Sequence, residues 1–266
     1  MAGLLYEKYS DLAADTKYKS TLKQKEFKVF SQNGDDGLIL YILSQIGVEE
    51  RNFVEFGFGD GIECNAANLI LNFGWTGLMM DGNPMSVQSA QSYYSNKGIE
   101  EKDGLKIREC FITKENINQM LKDNGMEGEI GMLSIDIDGN DYWIWKEIDI
   151  INPRLLVIEY NASFGKNRSL TVKYDPAFNR YSKHKSGWYH GASLLALEKL
   201  GKEKNYSLVG CNTDGVNAFF VRNDLLKGEL RVVSASEAYY PMKKRLAVCS
   251  VEDQFKKISH LPYSEI

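Results

Sequence analysis

Between Asn52 and Arg222, short apolar runs of strand length alternate with segments of helical spacing, and this rhythm narrows the folds open to the chain. "NFVEFG" (52–57), "TGLMMDG" (76–82), "LKIRECFI" (105–112), "IGMLSIDIDG" (130–139) and "RLLVIEYN" (154–161) read as strands. "ECNAANLILNFG" (63–74), "SVQSAQSYYSNKG" (86–98), "TKENINQMLKDNG" (113–125) and "DYWIWKEI" (141–148) read as the helices between them. Strands separated by helices imply a parallel sheet covered on both faces. A further helix (192–205) precedes two strands around the Asp214-Gly215 turn, which adds an antiparallel hairpin at the edge. The expected fold class is therefore α/β, with a mostly parallel sheet and a late hairpin.

Before this core, "SQNGDDGLILYILSQIG" offers Ser31 as a helix cap and apolar positions at helical spacing. Residues 1–30 are lysine-rich and read as an N-terminal helical extension, 31–224 as the main domain, and 225–266 as a C-terminal extension. Segment 162–191 breaks the rhythm, being long, aromatic and basic, which marks a functional insertion. The net charge of −4 gives no basic stripe for nucleic acid. No apolar run reaches the ~20 residues that a membrane span needs. The four cysteines stand apart with no metal spacing and fit reduced thiols, so a cytoplasmic protein is expected.

The first strand runs into "FVEFGFGDGIECN" (53–65), where Gly57, Gly59 and Gly61 alternate and Glu55, Asp60 and Glu63 surround them. In open parallel sheets the ligand sits beyond the carboxyl ends of the strands, so this turn is the first candidate site. The dinucleotide fingerprint fails, because Ile62 stands where its third glycine belongs. Asp81 ends the second strand, where a carboxylate accepts hydrogen bonds from ribose hydroxyls. With no pyrophosphate to neutralise, Glu55 and Asp60 favour a cationic amino acid and a sulfonium. The pattern suits S-adenosyl-L-methionine better than a nicotinamide dinucleotide.

The motifs "SQNGDDG", "VEFGFGDGIECN", "GWTGLMMDGNP", "SIDIDGND", "VIEYN" and "GASLLALEKLG" resemble the FkbM-like S-adenosylmethionine-dependent methyltransferases, in particular small bacterial enzymes of surface-polysaccharide (capsule) gene clusters. The resemblance covers about residues 30–224. It implies a seven-stranded Rossmann-like class I fold. It also implies a donor site at Gln32, Glu55, Gly57, Gly59, Asp60, Asp81, Gly82 and Asp136, with Cys110 and Phe111 bordering adenine. One departure stands out: such enzymes carry D-x-E-G after the fourth strand, and this chain has Asp136-Ile137-Asp138-Gly139.

Alternation along strands aims Asp136 and Asp138 the same way, and likewise Glu159 and Asn161. Three carboxylates and an amide converging beside a methyl donor form an oxygen-rich set suited to Mg or Mn. The arrangement is similar to metal-dependent catechol-type O-methyltransferases. The open alternatives are a carboxylate or His base acting directly, with His190 the candidate among three histidines, or a purely structural turn. Lys166, Arg168, Lys173, Arg180, Lys183 and Lys185, interleaved with aromatic residues, suggest an acceptor-binding insertion for an anionic acceptor. The expected activity is O-methyl transfer to a small anionic (phosphate or phosphoramidate) or sugar acceptor in surface-glycan synthesis. The competing reading is a metal-dependent nucleotide-sugar glycosyltransferase that uses Asp136-x-Asp138 as its D-x-D. The oligomeric state is left open by the sequence.

Overall fold

The computed structural model describes residues 22–227 and 230–266; most of the expected N-terminal helical extension (1–30) lies outside the described residues. Seven strands form one sheet: β1 (Asn52–Phe56), β2 (Thr76–Asp81), β3 (Leu105–Glu109), β4 (Gly128–Ile135), β5 (Ile151–Glu159), β7 (Tyr206–Cys211) and β8 (Asn217–Arg222). Their order is β3-β2-β1-β4-β5-β8-β7. β1 to β5 run parallel, and β8 is antiparallel to both β5 and β7. This is the seven-stranded Rossmann-like α/β class expected from the sequence, hairpin included. Strand order reverses between β1 and β4, and the carboxyl ends of these two strands open the crevice where such sheets hold ligands.

The two-residue period of the strands divides the core. Val54, Phe56, Leu78, Met80, Leu133, Ile135, Leu156 and Ile158 face one side of the sheet. Phe53, Met79, Met132, Leu155 and Val157 face the other. The first side is covered by α4 (Ile117–Asp123), α5 (Asp141–Glu147) and α7 (Leu194–Glu203); the second by α1 (Asp35–Ile46), α2 (Ala67–Phe73) and α3 (Pro84–Asn96). α1 is apolar nearly all round and is buried from Asp35 to Leu43, as a helix within a core must be. Its N-cap is Gly34, with φ 81° and no side-chain cap bond, and not the expected Ser31. Ser31 lies three residues earlier, and its Oγ accepts from the Asp36 amide at 2.9 Å. Asp36 in turn accepts from the amides of Val29, Phe30 and Ser31, each at 2.8 Å. β3 stops at Glu109, short of the expected Ile112. Cys110, Phe111 and Ile112 leave the sheet and turn over its carboxyl edge.

The insertion and the tail fold onto one another. β6 (Leu170–Val172) pairs antiparallel with β9 (Tyr263–Glu265). Phe164, Val172, Phe178, Tyr189 and Ile258 close a small separate core between them. The insertion also carries α6 (Arg180–Lys183), and the tail carries α8 (Ala235–Ala238), α9 (Lys243–Leu246) and α10 (Val251–Ile258). No helix among the described residues is long and apolar enough to cross a membrane.

Candidate active site

Two chambers open above the carboxyl ends of the strands. The smaller, about 320 Å³, is lined by Gly57, Gly59, Met80 to Asn83, Ser86, Cys110 to Ile112, Asp136 to Asp138, Asn140 and Phe178. The larger, about 680 Å³, extends over Gln32, Asp35, Asp60, Glu159, Arg180, the β7–β8 turn at Asp214 to Asn217, and Met242 to Lys244. They share Gly57, Gly59, Asp136 and Asp138.

The glycine turn is built by its acids. Glu55 is buried, and its two carboxylate oxygens accept from the Asn65 and Ala66 amides at 2.9 Å each, fixing the entry to α2. Burial pushes its pKa above the usual range, and those amide bonds pull it back. Asp60 Oδ1 accepts from the amides of Ile62 and Glu63, and Glu63 pairs with Lys28 at 2.9 Å. Each acid therefore holds part of the loop, whereas the sequence suggested that they serve the ligand's positive charge. Gly57 has φ 71°, and a Cβ there would overlap the Asp136 carbonyl oxygen. Only glycine lets β1 leave the sheet so close to β4. Gly59, at φ 62°, has nothing within 4 Å of where a Cβ would lie, so its backbone forms open chamber floor.

Asp81 closes the smaller chamber at the end of β2. Its Oδ1 accepts from the Asn83 amide at 2.8 Å and its Oδ2 from the Gly59 amide at 3.2 Å, tying the glycine turn to the second strand. Gly82, Cys110 and Phe111 line the same chamber, with Phe111 exposed there. Gln32, Glu55 and Asp60 line the larger one. The candidate donor residues thus line two adjoining chambers that share Gly57, Gly59, Asp136 and Asp138.

The acidic cluster differs from the expectation. Strand alternation ends at Ile135, and Asp138 adopts a left-handed backbone with φ 57°. Its carboxylate pairs with the Arg180 guanidinium, so it is not free to act as a base. Asp136 lines both chambers and accepts no hydrogen bond among the described residues. Glu159, at the end of β5, is 7% exposed, and its Oε2 has no hydrogen-bond partner. Burial, with Asp138 and Asp141 nearby, raises the Glu159 pKa to about 8. Burial and Glu159 together push Asp136 well above the carboxylate range. Both effects favour keeping a proton at this pair.

Asn161 does not join the cluster. Its amide nitrogen donates to the carbonyls of Trp188 and His190 at 2.7 and 2.8 Å, while its Oδ1 accepts from the Ser163 amide at 3.0 Å and from Arg245 at 2.9 Å. Alternation fails because β5 ends at Glu159 and Asn161 caps the next turn. The expected metal set is therefore not assembled. Other oxygens do gather: Asp136, Asp141 and Glu159 offer ligand atoms within 4.8 Å of one another, as do Asp138, Glu159 and His190. Yet Asp141 accepts from the amides of Ile137 and Gly139 at 2.9 Å each, and Asp138 is held by Arg180. A hard divalent cation takes about six or more oxygens, several of which water can supply. Of these acids only Asp136 and Glu159 are uncommitted, and the nearby guanidiniums of Arg180 and Arg245 already supply compensating positive charge.

His190 is 1% exposed and lines neither chamber. Its Nε2 lies 2.7 Å from Arg245 and its Nδ1 3.3 Å from Glu159. It therefore cannot take a proton from a ligand directly, as the sequence reading had it do. Burial, then Arg245 and Arg180, hold its pKa well below the ordinary value, so the ring is neutral.

Two of the insertion's basic side chains are paired away from the chambers. Arg168 pairs with Glu252 and Lys183 with Asp175, each at 2.6 Å. Of the insertion's six basic side chains, Arg180 alone lines either of these two chambers, while Lys173 and Lys183 line a separate cavity of about 270 Å³ within the insertion. Residues that sequence reasoning missed include Asp35, which accepts from Asn212 at 2.7 Å and from Asn217 at 3.0 Å and whose pKa burial raises to about 7. Lys243 pairs with Asp214 at 3.0 Å, and Lys244 is exposed at the chamber rim. The run Lys243-Lys244-Arg245 was the signal in the tail that could have drawn attention to it.

No protein-family model matches the chain, and no curated protein matches it. Among solved structures it is similar to an O-methyltransferase from Bacillus cereus in complex with SAH, at 14% identity over 81% of this chain and 88% of that one, TM-score 0.47. It is similar also to an SAH-bound Podospora anserina methyltransferase, at 11% identity over 83% and 87%, TM-score 0.47. A third is the SAH-bound N-terminal domain of EvdMO1, at 9% identity over 82% and 94%, TM-score 0.45.

Proposed function

We propose that the protein is an S-adenosyl-L-methionine-dependent O-methyltransferase whose acceptor is a small polyhydroxylated, sugar-like molecule. The observation that carries this reading is the meeting of the two chambers at Gly57, Gly59, Asp136 and Asp138. The smaller chamber suits a nucleoside, with Asp81 placed for ribose hydroxyls and Phe111 and Ile112 for the base. The larger continues from it past Asp136 and Glu159. A reactive methyl at the junction would face whatever occupies the larger chamber.

In the proposed step the acceptor oxygen attacks the methyl carbon while Glu159 takes the hydroxyl proton. The new O–CH3 bond forms as the S–CH3 bond breaks, and that electron pair returns to sulfur as a neutral thioether. Glu159 then releases its proton to solvent. A carboxylate with a pKa near 8 is a far better base at neutral pH than an ordinary one. No metal is assigned a part in this step.

The acceptor class follows from the lining. Asp35, Asp136, Asp138, Glu159, Asp214, Gln32, Asn33 and Asn217 present oxygens and amides suited to hydroxyl groups. Arg180 and Lys243 are already paired, leaving Lys244 as the chamber's unpaired cation among the described residues. That lining disfavours a phosphate-type acceptor. A sugar acceptor accords with the surface-glycan setting that the sequence resemblance implies.

Calorimetry tests the donor half: S-adenosylhomocysteine should bind with one site per chain, and NAD or a nucleotide-sugar should not. Binding of a nucleotide-sugar with none for the adenosyl compound would favour the glycosyltransferase reading instead. Release of S-adenosylhomocysteine across a panel of neutral, amino and phosphorylated sugars then tests the acceptor half. Turnover confined to phosphorylated compounds would overturn the neutral-sugar assignment.

A further inference from the structure

Arg245 comes from the C-terminal tail, yet it is only 6% exposed, and no carboxylate pairs with it among the described residues. Its Nη1 donates to Asn161 Oδ1 and to Ser163 Oγ, both at 2.9 Å. Ser163 Oγ in turn donates to Gln254 Oε1 at 2.8 Å, so α10 braces the arrangement. The Nη2 lies 2.7 Å from His190 Nε2. A guanidinium only donates, so Nε2 must offer its lone pair. A neutral imidazole has one N–H, which therefore sits on Nδ1. Nδ1 faces Glu159 Oε2 at 3.3 Å, and neither of these buried atoms has another partner. Leaving both unpaired would cost about 1–3 kcal/mol each, so a small rotation that joins them is favoured.

We infer that Arg245 is a positioning residue: it fixes His190 as the Nδ1–H tautomer, whose N–H holds one oxygen of Glu159 and leaves the other to the acceptor hydroxyl. The inference rests on the proposed role of Glu159 as base. It gives the buried arginine a reason to lie beside a histidine and one step away from the acidic cluster. The positive charge reaches Glu159 through a neutral ring, which aims the carboxylate without pairing it off. A direct guanidinium–carboxylate pair, as between Arg180 and Asp138, would lower the basicity of Glu159 and occupy the oxygens that it needs.

The test uses the full chain labelled with 15N in its histidines, read by long-range proton–nitrogen correlation spectra. The His190 signals are assigned by their loss in His190→Gln. The expected result is a neutral His190 with its proton on Nδ1, retained in Arg245→Lys because a lysine also only donates. In Arg245→Gln the lock is lost, and the signals move towards the Nε2–H form or a mixture. In Glu159→Gln, compared with the wild type above about pH 8 where Glu159 is ionised, the Nδ1 proton shifts upfield as a charge-assisted bond becomes neutral. Calorimetry with S-adenosylhomocysteine on wild type and Arg245→Gln should agree within about twofold. An Nε2–H tautomer in the wild type, an unchanged Nδ1–H in Arg245→Gln, or an unmoved proton in Glu159→Gln would overturn the inference. If Arg245→Gln does not fold, the wild-type, Arg245→Lys and Glu159→Gln spectra decide. Absence of S-adenosylhomocysteine binding in the wild type would defeat the methyltransferase reading while leaving the tautomer result to stand alone.

Discussion

The two chambers are built by opposite means. The smaller draws all its walls except Phe178 from residues 57–140, with glycine backbone exposed at Gly57, Gly59 and Gly82. The larger is assembled from the start of α1, the glycine turn, β5, α6, the β7–β8 turn and the tail, and it is shaped by side chains. A site drawn from one nearly continuous stretch of chain has little freedom to vary. A site gathered from distant segments changes whenever any one of them does, which suits the part of a reaction that differs between related enzymes.

The sharpest way to break this contrast is at the glycines. Gly57→Ala should cost on the order of 4 kcal/mol, because the strained φ and the overlap with Asp136 both oppose it. Thermal melting should show a collapse in stability, with S-adenosylhomocysteine binding lost alongside. Gly59→Ala meets no atom within 4 Å. Its left-handed backbone should cost only about 1–2 kcal/mol, while the new methyl enters the chamber floor. Calorimetry should then find affinity falling more than stability. Equal behaviour of the two variants would refute the claim that one glycine serves folding and the other serves the ligand.

The next largest effect separates the chambers chemically. Glu159→Gln should lower turnover about 100-fold or more while leaving S-adenosylhomocysteine affinity nearly unchanged. Asp81→Ala should do the reverse, weakening that affinity about 10- to 100-fold through lost hydrogen bonds to the ribose. Parallel losses in both measurements for either variant would merge what the geometry keeps apart. The pH dependence sharpens this further. The folded Glu159 pKa is raised from 4.5 to about 8, so between those values the native state binds more protons than the unfolded chain. Stability should therefore fall as pH rises through this window, while turnover rises as the base deprotonates. Melting temperature followed against pH should show the decline, and Glu159→Gln should flatten it. Asp35, raised to about 7, would leave a residual slope.

Much of the smaller chamber was legible in the sequence because its parts obey local rules. Glycines at a strand-to-helix turn and an acid ending β2 keep their meaning whatever the rest of the chain does. The acids of the turn also have a structural task that the sequence did not show: a carboxylate beside helix-entry amides accepts from those amides, as Glu55 and Asp60 do while lining the larger chamber. The larger chamber was read less well. Period-two reasoning put Asp138 and Asn161 on the ligand side; both lie beyond their strands, where alternation no longer holds, and only Asp138 lines the chambers. The part of the tail that reaches the chamber gave no periodic signal, since α8 and α9 are each one turn long. Its contribution, through Arg245 and Lys244, depends on contacts across more than 50 residues of chain. No local pattern encodes such contacts.

The smallest expected effect is a null one, and it bears on the same contrast. If the larger chamber were organised around a divalent ion, its acids would be waiting for charge. Instead Arg180 holds Asp138, Asp141 is committed to two amides, and Asn161 faces Arg245. A ligand that binds only the native state stabilises it in proportion to the logarithm of its concentration over Kd. Millimolar Mg or Mn should therefore leave the melting temperature within about 1 °C, and excess chelator should leave turnover intact. The Arg180→Ala variant makes this more than a negative result. Freed of its partner, Asp138 would join Asp136 and Glu159 as an uncompensated acid set, and manganese should then raise the melting temperature where it had no effect before. Stabilisation of the wild type by either ion would show that the arginines share the site with a metal, and the metal-free step would have to be abandoned.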